Sequence, residues 1–330
     1  MKSIYLCMIP QKLVDVYSEN ARRRIAGMTE VLGTITSPDQ FDSPMAKEAE
    51  VVFSTWGMPT LTEEELARYF PNLKAVFYGA GSVQAFARPL LARGIRLFSA
   101  WQANAVPVAE YALAQILLSL KGFFQVEQLT RTSREKALER FYQHPGIYEA
   151  KVGLIGCGAV GRKLVALLKN MNLQILVCDP YLPDEAAQEM GVVKTDMATL
   201  FAECDVVSNH LPNLPSTVGI IRREYFMSMK PYATFINTGR GPQLDEQDLY
   251  DALTQVPTRT ALLDVMTDEG SSVDKPLNQL SNCLITPHIA GSANQEVWRM
   301  AEYMADEFER MEKGEKCPYE VSMKMLETMA

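Results

Sequence analysis

Three polar side chains follow apolar, strand-like runs in the second half of the chain. Arg240 follows Thr234 to Thr238 in TFINTGRG, Glu269 follows Asp264 in LLDVMTDEG, and His288 follows Leu284 in LITPHIAGS. Their chemistry is complementary. A guanidinium can hold a carboxylate through two parallel hydrogen bonds, an imidazole can exchange a proton near neutral pH, and a carboxylate can orient that imidazole and raise its pKa. Singly, each has an ordinary explanation: Arg240 as a loop residue between glycines, Glu269 as one more solvated acid beside Asp268, His288 as a capping or packed histidine. Their joint placement at strand ends favours one site, because ligands of open α/β sheets bind outside the carboxyl ends of the strands.

What would bind beside them is written upstream. Lys151 to Pro180 reads KVGLIGCGAVGRKLVALLKNMNLQILVCDP: an apolar run, three glycines at Gly156, Gly158 and Gly161, a helix-like segment, and a second apolar run ending at Asp179. The first glycine permits a tight turn, the second lets backbone N–H groups approach a pyrophosphate, and the third lets helix and strand pack closely. The helix N-terminus adds unpaired donors and the positive end of its dipole. Asp179 stands where a carboxylate can accept both ribose hydroxyls of an adenosine and repel a 2′-phosphate, which favours NAD over NADP. The expected cofactor is therefore NAD, and no metal is expected.

The elements that must position these groups alternate along the chain. Ile4 to Ile9, Val51 to Ser54, Leu73 to Tyr78 and Ile95 to Ser99 read as strands. Val14 to Met28, Thr62 to Tyr69 and Val83 to Ala92 read as helices, and Thr62 with Glu65 predicts a capping box. After the glycine stretch, strands are expected at Asp205 to His210, Thr234 to Asn237, Thr260 to Val265 and Leu284 to Thr286, extending that sheet to six or seven strands. Ala103 to Phe124 predicts a long apolar helix with Pro107 near its start, buried between domains or subunits, and a second long helix runs from beyond Ser292 to about Lys313. Such alternation implies parallel sheets covered by helices.

Composition bounds the rest. The chain has 330 residues, 47% hydrophobic and 22% charged, enough for two cores. Its net charge of −8 disfavours a general nucleic-acid or anionic-membrane surface, and nothing reads as a membrane span or signal peptide. The six cysteines, Cys7, Cys157, Cys178, Cys204, Cys283 and Cys317, lack metal-site spacing and suggest free thiols in a reducing compartment, the cytoplasm. His144, in FYQHPG with no acidic neighbour, is expected at the surface or a subunit contact.

GCGAVG, CDP, HLPNLPST, FINTGRG, ALLDVMTDEG and TPHIAGS, in this order, resemble the D-isomer-specific 2-hydroxyacid dehydrogenase family. The resemblance covers nearly the whole chain and implies an α/β fold: a Rossmann-type doubly wound parallel sheet at 103–294 and a smaller flavodoxin-like substrate domain from 1–102 with 295–330. It implies an NAD-dependent exchange of hydride with a 2-keto acid/(R)-2-hydroxy acid pair, glyoxylate or hydroxypyruvate by default, with closure of the two domains around the substrate, in a homodimer formed through the Ala103 to Phe124 region. Arg240 would bind the substrate carboxylate and polarise its carbonyl, His288 would be the acid/base, and Glu269 its partner. The backbone of Ala159 and Val160 would face the pyrophosphate and Asp179, followed by Pro180, the ribose. Val108, Leu211, Pro212 and Thr217 would line the cofactor together with His210, Gly239, His288 and Gly291, with Thr238 and Asp264 near the nicotinamide. Ala80 and Gly81 would offer backbone N–H groups to the carboxylate, and Trp56 and Gly57 fall in the specificity loop.

Two departures are local: Gly81-Ser82-Val83 stands where the family has GVD, and Gly270 where a proline often follows the glutamate. The same fold also serves nucleotide-sensing corepressors, which act by binding partners, and dehydrogenases of phosphite or formate. These are the competing expectations.

Overall fold

The computed structural model describes residues 1–270 and 274–329. Two units are present, one of Met1–Asn104 with Ser292–Ala330 and one of Ala105–Gly291. The divisions fall close to residues 102 and 295. Within the first unit the Ser292 N–H donates to Asn104 Oδ1 at 2.9 Å.

In the first unit the strands are β1 (Lys2–Leu6), β2 (Glu30–Ile35), β3 (Val51–Ser54), β4 (Ala75–Tyr78), β5 (Arg96–Ser99) and, from the end of the chain, β13 (Glu320–Val321). Their order is β13-β5-β4-β3-β1-β2, parallel except for β13. The sequences VVFS and AVFY are buried throughout, as central strands covered on both faces require. On one face Phe77 stacks on Phe98 with centroids 4.4 Å apart, and Phe308 meets Phe77 edge-on at 5.5 Å. Phe308 belongs to the helix Glu296–Glu312, so the returning C-terminal segment completes this core. The Thr62/Glu65 capping box forms as expected, with bonds of 2.8 and 3.2 Å.

The second unit contains β6 (Lys151–Ile155), β7 (Gln174–Cys178), β8 (Val193–Lys194), β9 (Val206–Asn209), β10 (Thr234–Asn237), β11 (Thr260–Leu263) and β12 (Cys283–Ile285). Its parallel order is β12-β11-β10-β9-β6-β7-β8. Strand succession reverses between β6 and β9, where Ile155 pairs with Asn209, and the carboxyl ends there form the crevice used by ligands of such sheets. The glycine turn opens at that point.

Several expectations need correction. Val14 to Met28 is not one helix but two, Pro10–Val16 and Glu19–Met28. The break at Tyr17 turns its ring into the core, where its hydroxyl donates to Ser54 O at 2.9 Å, and Ser18 caps the second helix. The long apolar helix is Trp101–Leu120; Gly122, at φ +67°, separates it from Phe123–Thr130. Helix Trp101–Leu120 is also long and apolar enough, by length and composition alone, to cross a bilayer, which the sequence reading overlooked; a partly buried helix of a folded unit meets the same measure. His144 is partly buried rather than fully exposed. Its ring lies against Gly122 and Tyr232 with both nitrogens sheltered, and burial lowers its pKa. All six cysteines are free, and four of them are buried.

Candidate active site

The glycine turn after β6 has the shape its spacing predicts. Gly156 sits at φ +90°, and Gly161 packs so tightly on the carbonyl of Gly156 that a Cβ would overlap it. Gly158, by contrast, faces open space, with nothing within 4 Å of where its Cβ would lie. It caps the helix Ala159–Leu168, and the first-turn N–H groups of Ala159, Val160 and Gly161 have no acceptor within that helix. Open backbone donors at a helix N-terminus fit the pyrophosphate of a dinucleotide.

Asp179 ends the neighbouring strand and already holds the turn: its Oδ2 accepts from Cys157 N–H at 2.6 Å and its Oδ1 from Tyr181 N–H at 2.8 Å. A carboxylate has about four lone-pair sites, so two are left for ribose hydroxyls. Asp179→Ala is therefore expected to raise the NADH KM by roughly tenfold while narrowing the NADH/NADPH ratio of kcat/KM, as one charged acceptor is lost. An unchanged ratio would show that Asp179 does not read the ribose.

Beyond β9 and β10, the expected cofactor loops are fixed by three buried amides that the sequence did not single out. Asn209 Nδ2 donates to Asn237 Oδ1 at 2.9 Å and to Gln243 Oε1 at 2.7 Å. Gln243 Nε2 donates to Leu211 O and Pro212 O at 3.1 and 2.9 Å, and its Oε1 accepts the Arg240 N–H at 2.9 Å. Asn237 Oδ1 accepts the Gly239 N–H at 3.1 Å. One network thus sets the backbone of Leu211, Pro212, Gly239 and Arg240. Thr217 Oγ1 tightens the same loop through Pro212 O at 2.8 Å. His210 is held at both ring nitrogens, by Ser208 Oγ and Thr238 Oγ1, each at 2.9 Å, and burial pulls its pKa down to about 4. It is a neutral strut.

The three reactive groups stand on the loops after β10, β11 and β12. His288 Nδ1 lies 3.1 Å from Glu269 Oε2, and both side chains are nearly half exposed, at 43% and 48%, so the pair is open to a reactant. His288 takes φ +57°, a left-handed conformation uncommon outside glycine, asparagine and aspartate. What holds it there is Asp264. Its Oδ1 accepts from Thr286 Oγ1 at 2.6 Å and Ile289 N–H at 2.8 Å, its Oδ2 accepts from Ala290 N–H at 2.9 Å, and its carbonyl takes the His288 N–H at 3.0 Å. The Asp264 carboxylate is thus turned to the histidine loop.

Arg240 donates from Nη1 to Gly239 O at 2.7 Å and leaves further N–H groups available. Burial lowers its pKa, and the charge of nearby Glu269 opposes that. Gly241 follows because a side chain there would overlap the backbone of Met266 and Thr267. That contact clamps the arginine loop to the loop leading into Glu269. Val108 is buried in helix Trp101–Leu120, and Gly291 ends the histidine loop.

The remaining expected residues lie in the first unit. Ala80 and Gly81 follow β4, and Ser99 Oγ lies 2.9 and 2.8 Å from their carbonyl oxygens, which turns the backbone into a fixed shape. Trp56 and Gly57 follow β3.

Comparison with known proteins identifies the family and the fold. The family model described as "D-isomer specific 2-hydroxyacid dehydrogenase, NAD binding domain" matches residues 113–290. D-3-phosphoglycerate dehydrogenase of Archaeoglobus fulgidus is 31% identical over 257 residues, covering 77% of this chain and 48% of that protein. The chain spans about half the length of the curated relatives it matches. Among solved structures, D-mandelate dehydrogenase of Rhodotorula graminis superposes with a TM-score of 0.82 at 18% identity, covering 97% of both chains. The NAD-complexed D-isomer specific 2-hydroxyacid dehydrogenase of Lactobacillus delbrueckii ssp. bulgaricus gives 0.77 at 20%, covering 98% of this chain and 100% of that one. At such identities the structures speak for the fold, and the matched residues speak for the family: the chain belongs to the D-isomer specific 2-hydroxyacid dehydrogenases, and residues 113–290 are its NAD binding domain.

Proposed function

We propose that the chain is an NAD-dependent oxidoreductase that interconverts a small 2-keto acid and the corresponding (R)-2-hydroxy acid. The observation that carries this reading is the exposed His288–Glu269 pair at 3.1 Å, on the same sheet edge as a partly buried arginine whose donors are not exhausted. When bound, the nicotinamide supplies or takes up the hydride at the substrate carbon. The chain's own groups do the rest. Arg240 holds the substrate carboxylate and polarises the adjoining carbonyl. His288 gives a proton from Nε2 to the carbonyl oxygen in reduction and takes it back in oxidation, while Glu269 at Nδ1 stabilises the imidazolium and fixes its orientation.

Glyoxylate and hydroxypyruvate are the substrates first proposed. The free thiols support a proposed cytoplasmic location, and the exposed Leu118, Phe123, Leu138 and Tyr142 in and after helix Trp101–Leu120 support a proposed homodimer. Steady-state oxidation of NADH with a panel of 2-keto acids tests the reading. Turnover of at least one acid, with NADH preferred over NADPH, is expected; binding of NADH without turnover of any would favour a nucleotide-sensing protein instead.

A further inference from the structure

The turn that carries His288 starts at Thr286, which is fastened through both its backbone and its side chain. Its N–H donates to Leu263 O at 2.9 Å, one step past the paired residues of β11 and β12. Its carbonyl accepts the His288 N–H at 3.0 Å, and its hydroxyl donates to Asp264 Oδ1 at 2.6 Å. A further contact reaches that hydroxyl from a different element. Tyr111, partly buried on helix Trp101–Leu120, places its phenol oxygen 3.1 Å from Thr286 Oγ1.

The direction of this bond follows from proton counting. A threonine hydroxyl has one proton and two lone pairs. The proton is committed to the Asp264 carboxylate, so the Tyr111 hydroxyl is the donor. Burial raises the Tyr111 pKa and keeps that donor protonated; the bond to Thr286 opposes the rise, and the Asp264 charge adds to it. The result is a chain of hydrogen bonds pointing one way, from Tyr111 to Thr286 to Asp264, in which each bond polarises the next. Asp264 is 2% exposed and, among the described residues, forms no ion pair with a cation. A buried charge of this kind depends on its hydrogen-bond donors. Its remaining donors are the N–H groups of Ile289 and Ala290, so the chain ends on the backbone that follows His288. All of these residues belong to the unit Ala105–Gly291.

We infer that Tyr111 is a positioning residue for the proposed acid/base: acting through Thr286 and Asp264, it holds the backbone on either side of His288 in the conformation that presents the imidazole. The inference deepens the dehydrogenase reading above and rests on it. Without the phenol, one lone pair of the Thr286 hydroxyl loses its donor, and the rotor that anchors the turn is less firmly set.

The test uses the full chain with NADH bound, and as substrate glyoxylate or whichever acid of the panel the wild type reduces fastest. Tyr111→Phe keeps the ring and removes only the hydroxyl. It is expected to slow single-turnover hydride transfer by about tenfold, the loss of one hydrogen bond, while the substrate KM and the NADH Kd stay within about twofold. Thr286→Val also removes the bond to the carboxylate and should cost roughly 10- to 100-fold, most of which Thr286→Ser should recover by restoring the hydroxyl. Combining Tyr111→Phe with Thr286→Val should give a rate within about twofold of Thr286→Val alone, because Tyr111 then has no route to Asp264. Multiplying losses in the double variant would overturn the inference, as would a Thr286→Ser variant as slow as Thr286→Val, or NADH affinity falling in step with the rate. Wild-type turnover with an unaltered Tyr111→Phe removes Tyr111 alone. If the wild type reduces no 2-keto acid, the dehydrogenase reading falls and this inference falls with it.

Discussion

Replacement of His288 by alanine is expected to lower kcat by roughly 10²-fold or more, the usual contribution of a positioned acid/base, while the Kd for NADH changes little. The two readouts separate because of where the groups stand. The glycine turn, Asp179 and the amide network around Asn209 hold the backbone assigned to the cofactor, and none of them bonds to the His288 ring. The imidazole instead projects from its own loop with Glu269 as its partner. Stopped-flow hydride transfer together with a fluorescence titration of NADH decides the point. Near-normal turnover in the variant would remove His288 from the mechanism.

Gly241→Ala is expected to damage both stability and activity. The new methyl group would occupy the backbone of Met266 and Thr267, and no flexible side chain is available to yield. Overpacking of this kind costs about 1–3 kcal/mol. For a unit of this size that corresponds to a drop in Tm of roughly 2–12 °C. Arg240 is the preceding residue and Glu269 lies just beyond the displaced loop, so relief by backbone movement separates two of the three reactive groups. A shift of about 1 Å can cost roughly 10²-fold in rate. Thermal unfolding and steady-state kinetics on the same preparation check both halves. An unaltered Tm with full activity would show that the loops do not depend on this close approach.

How much of this could be seen in the chain alone follows from the kind of signal each part leaves. Strands β3 and β10 are short apolar runs bounded by polar turns, so VVFS and TFIN declare themselves. Strand β2 does not. It pairs only with β1 at the sheet edge, and its EVLGTI carries a charge, a glycine and a threonine, which leaves no apolar rhythm to read. The reactive residues and the glycine turn were legible because each is a local pattern. The amide network was not, since Asn209 meets Asn237 and Gln243 from a separate segment of the chain; its trace is an asparagine closing each of two short buried strands. Asp264 was recognised, but the direction of its carboxylate depends on the Thr286–Ala290 turn and has no signature in spacing. The packing of the His144 ring against Gly122 joins residues apart in sequence and leaves no local pattern.

The left-handed backbone at His288 sets the protein's thermal robustness against its chemistry. Glycine adopts φ +57° without penalty, whereas histidine there carries a conformational cost that the Asp264 bonds must offset. Any selection that rewards folding alone would therefore drift toward glycine or asparagine at this position and end with a sturdier protein that lacks the proposed acid/base. A stabilisation campaign on this scaffold has to exempt residue 288 and the carboxylate beneath it, and to look for its gains among surface positions where no reaction depends on the strain.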